Sequence, residues 1–101
     1  MNDEKVCRTA VVNHPMGIHL RPASLIVGLA KKFQAKVEIV RENQRVDSRS
    51  ILDLLTLAVT QGSEVQIEAI GPDAEAAATA FAELIASDFE EDETEPKQPQ
   101  D

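Results

Sequence analysis

The spacing of apolar residues switches repeatedly between two periods along this chain, and the order of the switches leaves few folds open. Residues 5–12, "KVCRTAVV", are β-branched and alternate as a strand does, and "NHPMG" then supplies breakers. Over residues 20–33 the apolar positions are Pro22, Ile26, Leu29, Ala30 and Phe33, with Ser24, Gly28, Lys31 and Lys32 opposite, which predicts an amphipathic helix. "KVEIV", residues 36–40, alternates again, "RENQR" reads as a polar turn, and Val46 marks a shorter strand paired back. Residues 50–59, "SILDLLTLAV", predict a short helix ended by "TQG". Residues 64–70 alternate with Val65, Ile67 and Ala69 on one side. A last helix starts at Asp73 as N-cap, with Ala74, Ala77, Ala78, Phe81, Leu84 and Ile85 as its buried stripe. Every strand is half-polar, so helices cover one sheet face and water the other. The expected fold is α/β (α+β): an open-faced sandwich of order βαββαβα, with a mainly antiparallel four-stranded sheet and three helices on one face.

Charge separates this body from the C-terminal segment. The net charge of −8 is concentrated at one end, because residues 88–101 hold seven acidic residues against one lysine. That segment, "DFEEDETEPKQPQD", has one apolar residue, two prolines and many like charges, so it buries too little to offset the entropy of ordering. The expected organisation is a domain over residues 1–87 and an acidic, disordered tail over 88–101, with Phe89 tethering the tail's start. The body is nearly neutral and has no aromatic residue in a strand for base stacking, which disfavours nucleic acid as a partner. With three Phe and no Trp or Tyr the core must be aliphatic. The single Cys7 excludes an internal disulfide, and no apolar run is long enough to span a bilayer, so a monomeric cytoplasmic protein without membrane insertion is expected.

The chemistry lies in "MGIHLRPAS", where the first helical pattern begins. With His19 as N-cap, Leu20, Arg21 and Pro22 form the first turn, whose N–H groups have no intrahelical acceptor. Pro22 fits there because its missing N–H had no such partner, and Gly17 lets the chain turn in. A neutral imidazole offers a nucleophilic ring nitrogen. The amides of Leu20 and Arg21, the positive end of the helix dipole and the Arg21 guanidinium together suit a dianionic phosphoryl group. A lone histidine at a loop–helix junction is ordinarily a solvated or capping residue. The combination with glycine, arginine and proline gives this one a chemical role. His14, five residues earlier, makes a weak metal pair with His19 because no cysteine or carboxylate is near. It reads as a surface-loop histidine, and no metal is expected.

"GIHLRPAS" resembles the active-site motif of HPr, the histidine-containing phosphocarrier family of the bacterial phosphotransferase system, and the likeness extends over about residues 5–87. The resemblance implies that His19 accepts a phosphoryl group on Nδ1 from phosphorylated enzyme I and passes it to enzyme II (IIA) proteins. Arg21 and the first-turn amides would hold the phosphate. Such a protein is a carrier, not an enzyme, and needs no cofactor. Leu20 departs from the small residue usual after the histidine. A second stretch, "SILDLLTLAVTQGSEVQIEAIG", resembles the family's second helix and fourth strand, which begin at a regulatory serine corresponding to Ser50. Ser-Ile-Leu-Asp is equally a capping box, with Ser50 as N-cap and Asp53 reaching back. HPr kinase/phosphorylase is the partner that a regulatory Ser50 would have, although the charge of Asp53 opposes phosphoserine.

On that second helix, Ile51, Leu54, Leu55 and Ala58 face the core by period, leaving Leu52 and Val59 outward. Leu20, Leu52 and Leu55 are the candidate partner surface. A second function class is a regulatory, nitrogen-related HPr paralogue, suggested by the alanine-rich last helix and "IASDFEEDE". A third, a ferredoxin-like ligand or RNA domain, would need a polar cluster other than the His19 turn, and none is apparent.

Overall fold

The computed structural model describes residues 4–13, 18–87 and 89. The elements are β1 (Val6–Val12), α1 (Leu20–Ala30), β2 (Lys36–Arg41), β3 (Gln44–Asp47), α2 (Ile51–Thr56), β4 (Ser63–Ile70) and α3 (Ala74–Ala86). The order βαββαβα is the one expected. The sheet runs β1-β4-β2-β3, antiparallel throughout, so the last strand lies between the first two. Register follows the pleat: Ile39 pairs with both Val46 and Ile67, and Ala10 with Val65, all buried on the face that the helices cover.

The core is aliphatic around two buried phenylalanines, Phe81 of α3 and Phe89 beyond its end. Phe81, Ile26, Ile39, Ile67, Ile85 and Leu54 are fully buried, each worth about 1.5–3 kcal/mol relative to exposure. Phe33 lies tilted at 46° to Phe81 with ring centroids 6.4 Å apart. It comes after α1 instead of belonging to it, because the helix ends at Ala30. The opposite face of the sheet is polar. There Glu38 and Glu68 are direct cross-strand partners, and like charges so placed repel. Arg45 bridges both carboxylates, and Lys5 reaches Glu68 at 3.3 Å. The Arg45 guanidinium, against the opposing effect of burial, holds Glu68 below the usual carboxylate range, and Lys5 adds to this.

Two further local expectations need correction. First, α2 stops after Thr56, and Leu57 is extended (ψ 120), so helical spacing no longer assigns faces beyond it. Leu57 and Val59 point inward with strand-like alternation, Ala58 is exposed, and Leu55 is 40% exposed instead of facing the core. Second, Asp73 occupies the N-cap of α3 but makes no capping bond. Its carboxylate accepts from the N–H groups of Gln34 (2.9 Å) and Ala35 (2.8 Å), tying the α1–β2 loop to the start of α3. Gly71, at φ 141, permits this close approach: a Cβ there would lie 2.7 Å from the Ala35 Cα. The tether expected at Phe89 is present. Phe89 is fully buried in the core, and its N–H bonds the Leu84 carbonyl across the end of α3 (2.9 Å). Apart from Phe89, the expected tail over residues 88–101 lies outside the described residues, as do His14 and Gly17.

Candidate functional site

The site is the N-terminus of α1. His19 is its N-cap with extended backbone (φ −115), and the His19 carbonyl accepts the first helical bond, from the Ala23 N–H at 2.9 Å. Pro22 is buried in the first turn, fixing the backbone without spending a donor. That leaves the N–H groups of Leu20 and Arg21 as the first-turn donors, and no acidic side chain accompanies them there. The side chain of His19 makes no capping bond. The ring is half-buried with Nε2 on its buried side, so solvent reaches the imidazole from elsewhere on the ring.

Arg21 is exposed, and its Nη2 donates to the carbonyl of Phe89 at 3.4 Å, a contact across 68 positions of sequence. Sequence reasoning misses this bond, whose only signal is the single aromatic residue in an acidic run. The described acceptor is neutral and the distance long, so the guanidinium has most of its donor capacity left for an anion. The arrangement presents a ring nitrogen, two backbone donors, a helix dipole and a cation within one turn. It can take a group with developing negative charge and hold it without a metal.

Ser50 lies at the start of a different helix. Its Oγ accepts from the Asp53 N–H at 3.2 Å, the capping half of the expected box. The reciprocal half is not made, because the Ser50 N–H donates to the Asp47 carbonyl (3.1 Å) in place of the Asp53 carboxylate. The neighbouring Arg49 closes the end of the α1 region through Phe33, its Nη2 donating to that carbonyl at 3.5 Å. The three candidate surface leucines are all exposed: Leu20 by 61%, Leu52 by 75% and Leu55 by 40%. They sit on α1 and α2, which pack against each other. Among the described residues no group of three or more His, Cys, Asp and Glu could hold a metal ion, and no helix is long and apolar enough to cross a membrane.

Comparison with known proteins gives a consistent result. The family described as PTS HPr component phosphorylation site matches residues 6–87. The phosphocarrier protein HPr of Treponema pallidum (strain Nichols) is 39% identical over 87 residues, covering 86% of this chain and 99% of that protein. The crystal structure of HPr-C-His from Thermoanaerobacter tengcongensis superposes with a TM-score of 0.79 at 36% identity, covering 86% of this chain and 98% of that one. An HPr dimer from the same organism superposes with a TM-score of 0.66 at 38% identity, over 79% of this chain and 92% of that one.

Proposed function

The chain belongs to the HPr family, the phosphocarrier components of the phosphotransferase system, and from that premise we propose that His19 is its phosphoryl acceptor, loaded by enzyme I and discharged to enzyme II (IIA) proteins. The observation that carries this reading is the start of α1: a histidine at the N-cap, set beside an exposed arginine and a first turn without an acidic residue.

In the transfer, the in-plane lone pair of Nδ1 attacks phosphorus while the bond to the donor breaks on the far side. One N–P bond forms as one donor–P bond is lost, and the ring carries the dianionic group. Burial of Nε2 leaves Nδ1 as the nitrogen suited to meet a donor protein. The N–H groups of Leu20 and Arg21 and the Arg21 guanidinium face the charge that builds on the phosphoryl oxygens. Discharge is the same step in reverse toward another acceptor, so the site must stabilise the phosphate without trapping it. Backbone donors and one exposed arginine at the rim meet that requirement. The exposed leucines Leu20, Leu52 and Leu55 form the docking surface, and Leu20, bulkier than the residue usual there in the family, bears on partner choice. The protein works as a monomer in the cytoplasm, with no cofactor.

Incubation with phosphoenolpyruvate and enzyme I tests this. A phosphate labile to heat and acid is expected on the chain, and onward transfer to a sugar-specific IIA protein marks a carrier. Loading without onward transfer to any sugar-specific acceptor would favour the regulatory paralogue, and failure to load would refute both. Modification of Ser50 is a separate proposal. HPr kinase/phosphorylase with ATP is expected to add one phosphate there, and no mass shift on protein that loads at His19 would overturn it.

A further inference from the structure

Arg21 is held from two ends of the fold. Its backbone belongs to the first turn of α1, fixed by the buried Pro22 and by the bond from the Ala23 N–H to the His19 carbonyl. Its guanidinium reaches past the end of α3, where Nη2 donates to the Phe89 carbonyl at 3.4 Å. That carbonyl is itself set by the core. The Phe89 side chain is fully buried, and its N–H closes the end of α3 on the Leu84 carbonyl at 2.9 Å. Its φ of 62 lies in the left-handed region, which a bulky aromatic residue adopts only where its surroundings hold it there. We propose that Phe89 is a positioning residue for phosphoryl transfer: its buried ring fixes a backbone carbonyl that preorganises the Arg21 guanidinium beside the start of α1. The proposal deepens the phosphocarrier reading, since it rests on Arg21 being the anion-binding group of the site.

An exposed arginine side chain has many rotamers, and the entropy lost in fixing them counts against each contact that it makes with a phosphoryl oxygen. A carbonyl that already restricts the side chain takes that loss before the donor protein arrives, so more of the guanidinium's attraction is felt in the transition state. The weakness of the brace is part of its use. One long bond to a neutral acceptor engages a single donor of the guanidinium and leaves the others for phosphoryl oxygens. It also yields readily when a dianion forms on the imidazole. A carboxylate in the same place would bind the guanidinium more strongly and compete with the phosphate. Because an apolar ring does the placing, Phe89 orders the cation without adding a charge of its own.

The test separates positioning from packing with a cycle of four full-length proteins: the parent, Phe89→Ala, Arg21→Ala and the double variant, with Phe89→Leu as the conservative replacement. In single turnover with excess phosphorylated enzyme I, Phe89→Ala should load about two- to tenfold more slowly than the parent, the scale of one net hydrogen bond. Phe89→Leu, which refills the core, should load close to the parent rate. With Arg21 already replaced by alanine, Phe89→Ala should slow loading no further. A packing role alone would slow both backgrounds equally, and that result, or an unchanged rate in Phe89→Ala, would overturn the proposal. NMR adds a readout that needs no destabilised variant. In the parent, the Arg21 Nε–Hε group should be markedly more ordered than the arginines of the urea-unfolded chain. In Arg21→Ala the Phe89 carbonyl carbon should shift, while that of Leu84, still bonded to the Phe89 N–H, stays in place. An Arg21 side chain as mobile in the parent as in the unfolded chain, or an unmoved Phe89 carbonyl, would refute the proposal even if Phe89→Ala does not fold. If enzyme I loads none of the proteins, the carrier reading fails, and the NMR comparison still decides whether Phe89 holds Arg21.

Discussion

Helices α1 and α2 begin alike, each with an extended N-cap residue, and their N-termini are finished in opposite ways. At α2 the Ser50 hydroxyl accepts from the Asp53 N–H, and Asp53 adds a negative charge to the positive end of the helix dipole. At α1 neither device is present: the His19 side chain does not cap, the first turn holds no acid, and its charged group is the cation Arg21. The closed N-terminus of α2 is a stabilising feature, worth about 1 kcal/mol by its capping bond. The N-terminus of α1 has no such side-chain capping bond from His19.

Substitutions at these two N-termini should therefore read out on different axes. Arg21→Ala should slow phosphoryl transfer by about 10²-fold, in line with loss of one preorganised charge contact, while thermal unfolding shifts little. A rate within about twofold of the parent would mean that the backbone donors suffice. Ser50→Ala should do the reverse, lowering unfolding free energy by about 1 kcal/mol in denaturant titration with an unchanged loading rate. A loss of loading instead would join Ser50 to the site. Leu52→Asn, at a side chain 75% exposed, should leave stability within about 0.5 kcal/mol and raise KM for enzyme I severalfold. An unchanged KM would place the docking surface elsewhere.

The N-terminus of α3 supplies a pH test. The N–H groups of Gln34 and Ala35, outweighing the opposite effect of burial, hold Asp73 below its ordinary value. A carboxylate depressed in the folded state stabilises fully above its unfolded value, and that contribution is lost as pH falls through the folded one. Asp73→Asn should thus lower the melting temperature at neutral pH, with the gap to the parent closing as the solution is acidified below pH ~4. A gap constant with pH would mean that the loop is held by something other than the charge.

Which features are legible in the sequence depends on which contacts are local. The strands and helices show themselves as period-2 and helical runs because each buries one face on the same core. The start of α1 is legible because turn, cap and first-turn residues lie within six consecutive positions. Helical spacing misleads past Thr56, since a face assignment holds only while the helix continues, and residues 57–59 keep the apolar composition of α2 beyond its end, where Leu57 is extended. The bonds of Asp73 to the α1–β2 loop and of Arg21 to Phe89 join positions 38, 39 and 68 residues apart, and no local pattern encodes them. Phe89 stands out only as an apolar residue inside a charged run, which suggests an anchor but not what the anchor touches.

The proposed function stands or falls with a phosphoryl group carried by His19 at the N-terminus of α1. It is tested most directly by NMR of the ¹⁵N-histidine-labelled chain after loading from phosphoenolpyruvate and enzyme I, in the parent, His14→Ala and His19→Ala. An N–P bond at Nδ1 of His19 is expected in the parent and in His14→Ala, and none in His19→Ala. Equal loading of His19→Ala, or a phosphate found on His14, would contradict it.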